Sequence, residues 1–155
     1  MAELKEPKTE YDLRSRLGFR LSRLSKIIQD RLEKKLAKYG LSRLQWCVLS
    51  GIGLEDITTP SEIADHVGIT RQAISRLLLQ MRKKGWIEQE FDPKDGRSRR
   101  LVITESGRAL LEACHPIVNE NQTYFTNKLN AEELRMLDIT LSKLVEGEST
   151  RVDSY

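Results

Sequence analysis

"TTPSEIADHVGITRQAISRLLLQMRKKGWIEQEFDPKDGRSRRLVITESG", residues 58–107, decides the fold. It opens on a capping box: Thr59 can accept from the backbone of the first turn, Pro60 suits the first helical position, and Glu62 can reach back. The helix so started is short, because Gly68 directly after Val67 can take the left-handed conformation that ends a helix. Thr70 then caps a second helix running to Lys84, with Ile74, Leu77, Leu78 and Met81 on one face and Gly85 as its stop. After Gly85 the helical period is lost. "WIEQEF" and "RRLVIT" alternate or carry β-branched residues, and "DPKDG" between them supplies turn residues, so the pair reads as a β-hairpin.

Two short helices joined by a tight turn at "HVGIT" are the ingredients of a helix-turn-helix. In that motif the apolar side of the second helix locks it to the first, and its N-terminal residues enter the major groove of DNA. Here that leaves Arg71, Gln72, Ser75, Arg76 and Gln80 exposed behind the cap Thr70. Arginine can pair bidentately with guanine and glutamine with adenine, while hydroxyls suit phosphate oxygens. An ordinary amphipathic surface helix presents a similar polar face, so the helix alone leaves the choice open. The hairpin decides it, because a hairpin directly behind such a helix is a wing. Asp92, Pro93, Asp95 and Gly96 shape its turn, Arg97 is its tip cation, and Lys94, Arg99 and Arg100 lie nearby, where a narrow minor groove attracts arginines.

Outward from this centre the chain is helical. Leu13, Leu17, Leu21, Leu24, Ile28, Leu32 and Leu36 recur at helical spacing, which predicts one long helix from Tyr11 to Tyr39, stopped by Gly40. Such a helix is longer than a small domain is wide, so its apolar stripe needs a partner outside the local fold. Ser42 with Gln45 is a capping box for "SRLQWCVLSGI". Thr104 caps a helix through "ESGRALLEACHPIVNENQTYFTNKL", in which Pro116 predicts a bend or break. Asn130 with Glu133 opens a last helix bearing Leu134, Leu137, Leu141 and Leu144. The first ten residues read as a frayed lead-in and the C-terminus as a polar trail.

The 155 residues suit one domain with extensions, 39% apolar and 32% charged. No window approaches the ~20 apolar residues of a membrane span, and "MAELKEPKTEYDLRSR" has no signal-peptide core, so a cytoplasmic location is expected and no membrane partner. Net charge is only +3 but uneven. Residues 11–40 hold nine Lys or Arg against three acids, residues 70–100 nine against four, and residues 104–155 five against nine. That asymmetry suits a polyanion-facing surface, although charge runs also arise on solvated helix faces.

Taken together, "EIA", "AISRLLLQMRKKGWIEQ", "DPKDGRSR" and "LVITESG" resemble the winged helix-turn-helix of the multiple antibiotic resistance regulator (MarR) family, and the likeness extends over roughly residues 11–146. The resemblance implies a mostly α fold with a small β-hairpin: a winged helix-turn-helix at 41–103, flanked by dimerisation helices at 11–40 and 104–146. It implies a sequence-specific transcription regulator, a homodimeric repressor gripping double-stranded DNA at a pseudo-palindromic operator and responding to a small anionic or aromatic effector. The family's DNA contacts carry over to Thr70, Arg71, Gln72, Ser75 and Arg76 on the recognition helix and to Arg97 on the wing, beside Lys94 and Arg99. Family wings often carry a basic residue where this chain has Gly96.

For the effector, Arg16, Arg20, Trp46 and His115 are candidates to line a cleft for an aromatic carboxylate, the indole stacking and the arginines pairing with the acid. Each also has a plainer reading: Trp46 as core, the arginines as solvated or dimer-facing, His115 as a helix-bend residue. Cys47 sits among apolar residues and Cys114 beside His115; both read more readily as core than as redox sensors. With two histidines and no clustered thiols, no metal site or cofactor is expected. No nucleophile with an ordered base appears, so an enzyme is not expected. The competing reading is a winged-helix interaction or architectural module without sequence-specific DNA binding.

Overall fold

The computed structural model describes residues 11–150; the lead-in over the first ten residues and the end of the polar trail lie outside them. Among the described residues the order is α1 (Leu17–Leu36), α2 (Arg43–Leu54), α3 (Pro60–Val67), α4 (Arg71–Lys83), β1 (Ile87–Phe91), β2 (Arg99–Ile103), α5 (Glu105–Thr126) and α6 (Ala131–Val145). The fold is mostly α with one antiparallel hairpin, as the sequence implies.

Local chemistry sets the boundaries. Reciprocal capping boxes form at Ser42–Gln45, Thr59–Glu62 and Asn130–Glu133. Thr70 and Thr104 accept from Ala73 and Gly107 at 3.2 and 3.0 Å. Each such cap is worth about 1 kcal/mol. Gly68, at φ 80°, ends α3 and turns the chain into α4.

Two helical expectations need correction. The single helix from Tyr11 to Tyr39 is broken near its start: Asp12 accepts from the Arg14 backbone at 3.0 Å, a tight turn spans Leu13–Ser15, and Arg16 is extended at ψ 134° before α1 begins. A short acidic side chain accepting from a backbone N–H two residues on competes with continuous helix. Conversely, α5 runs through Pro116 without a break and ends at Thr126, short of Leu129. Proline removes one hydrogen bond, and the buried residues Leu111, Cys114 and Asn121 on both sides hold the helix together.

The core collects Leu36 and Leu41, Val48, Leu49 and Ile52 of α2, Ile63 and Ala64 of α3, and Ile74, Leu78 and Met81 of α4; Ile87, Leu101, Leu111 and Cys114 close it. The strands pair Ile87 with Ile103 through Phe91 with Arg99. The Leu101 N–H also donates to the Thr58 carbonyl at 2.6 Å, tying the wing to the entry of α3.

The junction of α4, wing and α5 is closed by backbone. The Thr104 hydroxyl donates to the Gly85 carbonyl at 2.6 Å, and the Thr104 N–H to the Trp86 carbonyl at 3.1 Å. Gly107, in the first turn of α5, lies against that same carbonyl: a Cβ there would stand 2.0 Å from the Trp86 oxygen. Only glycine fits, because the obstacle is main chain.

Further along, α1 and α5 are clamped. Arg31 donates to both carboxylate oxygens of Glu120, at 2.7 and 3.0 Å, and to Asn121 Oδ1 at 2.8 Å. Lys35 pairs with the same carboxylate, and the Arg31 guanidinium lies 3.9 Å from the Tyr124 ring centroid. The buried Asn121 donates in turn to the Ile28 carbonyl at 3.4 Å. Bonds from Arg31, then from Lys35, hold the Glu120 carboxyl below its ordinary 4.5, at about 2. A depressed folded value stabilises the native state fully above about pH 4.5 and loses that contribution as pH falls toward 2.

Two outcomes follow. Gly107→Ala destabilises by roughly 2 kcal/mol or more, the range of overpacking against an unyielding neighbour, in denaturant titration; a change under about 0.5 kcal/mol, the size typical of a neutral surface substitution, would contradict the packing. Glu120→Gln lowers the melting temperature at neutral pH and flattens its decline between about pH 4.5 and 2; an acid profile parallel to the wild type would place the acid sensitivity elsewhere.

Candidate nucleic-acid interface

The polar row of α4 follows from how its opposite side is buried. With Ile74, Leu78 and Met81 in the core, Arg71, Gln72, Ser75, Arg76 and Gln80 are exposed. The side chains of Arg71, Gln72 and Arg76 make no hydrogen bond or ion pair among the described residues, so their donors are available to a ligand. Ser75 differs, because its hydroxyl donates to the Arg71 carbonyl at 2.9 Å and keeps only acceptor capacity for a partner. The Thr70 oxygen is engaged as the α4 cap, and its proton is left to donate outward.

The wing loop is built by two acidic side chains. Asp92 Oδ1 accepts from the Lys94 N–H at 2.8 Å and Asp95 Oδ1 from the Arg97 N–H at 3.1 Å, turns in which the side chain replaces a backbone carbonyl. Asp92 is thus structural, as its place at the wing base suggests. Gly96 is not among the described glycines with left-handed φ; the turn rests on Asp92 and Asp95 instead. Lys94 and Arg97 are exposed at the tip with no side-chain partner among the described residues. Arg100 pairs across the hairpin with Glu90 at 3.5 Å, which withdraws it from the free cations. Arg99 lies 5.0 Å from the Phe91 ring centroid.

The four candidate effector residues separate into two places. Trp46, 7% exposed, stacks on His115 with centroids 6.2 Å apart and planes 18° from parallel, and His115 approaches Asn119 at 3.3 Å. Arg16 precedes α1 with its guanidinium 4.9 Å from the Tyr11 ring centroid, and Arg20 lies one turn into the helix. No hydrogen bond, ion pair or ring contact joins either arginine to Trp46 or His115 among the described residues. A cleft of about 370 Å³ does lie between α1 and α5, but its lining is Lys35, Lys38, Tyr39, Pro116, Ile117 and Glu120. Burial pushes the thiols of both Cys47 and Cys114 up, away from the thiolate an oxidant sensor needs. His66 meets Glu55 at 3.2 Å, and no group of three metal-ligating side chains occurs among the described residues.

Several contacts were not legible in the sequence. Arg82 donates to Gln89 at 3.1 Å, fastening the end of α4 to β1. Lys84 donates to the Gly40 carbonyl at 3.2 Å and lies over the Trp86 ring at 4.4 Å. The only available signal was composition, cations ahead of a tryptophan, which does not reveal a partner forty-four residues away.

Residues 39–98 match the MarR family model. A cysteine-to-serine variant of E. coli MarR complexed with operator DNA superposes with a TM-score of 0.76 at 26% identity, over 87% of this chain and 99% of that one. The S. aureus MepR–DNA complex gives 0.79 at 22% identity, over 87% and 98%. CouR from Rhodococcus jostii, bound to p-coumaroyl-CoA, gives 0.76 at 22% identity, over 86% and 94%. At 22% identity the last two speak for the fold alone. The family's model on residues 39–98 and the likeness of most of the chain to E. coli MarR support a winged helix-turn-helix regulator of the MarR type.

Proposed function

We propose that the protein is a homodimeric repressor of the cytoplasm, binding a pseudo-palindromic operator and releasing it when a small anionic or aromatic effector binds. The observation that carries the DNA reading is the exposed, unpartnered row Arg71, Gln72 and Arg76 on α4, beside a wing whose Lys94 and Arg97 are equally unpartnered. In this reading residues 41–103 are the DNA-binding region. Thr70 donates to a phosphate, Ser75 offers its oxygen to a base amino group, Arg71, Gln72 and Arg76 read base edges, and Lys94, Arg97 and Arg99 serve the wing. Phosphate contacts supply salt-sensitive affinity and base contacts supply choice.

Dimerisation is supported by apolar residues that the single chain leaves in solvent. Leu13, Leu17, Leu21 and Leu24 are 47, 57, 38 and 48% exposed, and Leu134, Leu137, Leu141 and Leu144 are 40, 41, 43 and 46% exposed. Two such stripes, within 11–40 and 104–146, form an apolar surface of the kind that marks a protein interface. Effector response is supported by the p-coumaroyl-CoA bound to the R. jostii relative, whereas Trp46, buried in the core and stacked on His115, offers no open ring face in the single chain. Arg16 and Arg20 would have to be brought to that pair by a second protomer or by movement of α1. An effector acts only through the difference in its affinity for two spacings of the recognition helices.

Titrated on a duplex that the wild type binds specifically, Arg97→Ala weakens specific and random DNA alike and lowers the salt slope by about 0.9. Gln72→Ala and Arg76→Ala lose about 1–3 kcal/mol of discrimination at single base positions. Equal losses on both DNAs for all three variants would contradict this division of labour. A Leu21→Glu, Leu137→Glu double variant is expected to run as a monomer in sedimentation; retention of the wild-type mass would remove the stripes from the interface.

A further inference from the structure

We propose that Arg99 and Phe91 together form a second phosphodiester-binding subsite on the inner face of the wing, separate from the tip, with Phe91 as the positioning residue. The inference rests on the DNA-binding reading above. Directly opposed residues of an antiparallel pair point to the same face. The register therefore puts Ile87, Gln89 and Phe91 on one face with Ile103, Leu101 and Arg99. Ile87 and Leu101 are buried, and Gln89 is bonded to Arg82 of α4. This is the face turned toward the body of the domain and the recognition helix. Beyond Gln89 the hairpin overhangs that body, and Phe91, 63% exposed, and Arg99 are the pair left facing the open space.

An exposed phenylalanine on a strand whose opposite face pairs Glu90 with Arg100 adds nothing to the core. Its one ring contact among the described residues is the Arg99 guanidinium, 5.0 Å from its centroid. A guanidinium held over a ring keeps its edge donors free while losing rotational freedom. Arg100, whose Nη2 is committed to Glu90, is not available in this way. With α4 in the major groove and the wing tip at the minor groove, the strand that passes between them runs along this inner face, and its phosphate is the anion Arg99 meets.

The test is a double-mutant cycle on wild type, Phe91→Ala, Arg99→Ala and the double variant, with DNA affinity followed against salt concentration. Arg99→Ala is expected to lower the salt slope by about 0.9, one phosphate. Phe91→Ala weakens binding about two- to fivefold, the range of an exposed cation–π contact, on specific and random duplexes alike. In the Arg99→Ala background the Phe91 change has no further effect, and Phe91→Tyr, which keeps the ring, binds as the wild type does. Additive losses, or a Phe91→Ala effect that Phe91→Leu restores as well as Phe91→Tyr, would overturn the subsite and reduce Phe91 to hairpin packing. Absence of DNA binding by the wild type itself would overturn the functional reading instead.

Discussion

The backbone contact of Gly107 with the Trp86 carbonyl fixes how the three working parts of the molecule meet. That carbonyl, three residues past α4 and just before β1, accepts the N–H of Thr104 and leaves no room for a Cβ at Gly107. The end of α4, the wing and α5 therefore meet at one backbone-packed joint. The second tie, the Leu101 N–H on the Thr58 carbonyl, holds the wing to α3. A head braced in this way keeps the geometry between α4 and the wing, which is what reading two adjacent grooves requires.

Charge on this head is sorted by pairing rather than by count. Arg82, Lys84 and Arg100 are spent on internal partners, while Arg71, Arg76, Lys94 and Arg97 extend into solvent unpaired. The clamp of Arg31 and Lys35 on Glu120 consumes two more cations and joins α1 to α5. The basic excess in residues 11–40 and 70–100 thus overstates the DNA-facing surface, since part of it is structural. With a net charge of only +3, phosphate attraction rests on where individual cations stand, and Arg71, Arg76, Lys94 and Arg97 stand together on the α4 and wing side of the head.

Legibility followed the range of the interaction. Caps at Ser42, Thr59, Thr70, Thr104 and Asn130 were readable because donor and acceptor lie three residues apart. So were the inward face of α4 and the hairpin, which are periodicities. The break at Arg16 is hidden in the sequence because the Asp12 side chain, accepting from the Arg14 backbone, competes with a strong leucine period. Of the bend or break expected at Pro116, the break does not occur, because burial on both sides outweighs one lost hydrogen bond. The α1–α5 clamp, eighty-nine residues apart in sequence, left no local trace. At the wing, the loop residues were recognisable as turn formers, but that Asp92 and Asp95 shape it without a left-handed Gly96 is a matter of conformation that composition does not encode. The effector residues were the hardest to place, because Arg16 and Arg20 meet Trp46 and His115 through no local pattern.

The central claim, that this head reads DNA sequence as a symmetric pair, is tested most directly by selecting duplexes from a randomised library with the purified protein at near-physiological salt and sequencing them. The account predicts enrichment of an inverted repeat whose half-site centres lie about one helical turn apart. Retention of DNA without enrichment of any sequence would contradict it and make the protein a winged-helix interaction or architectural module.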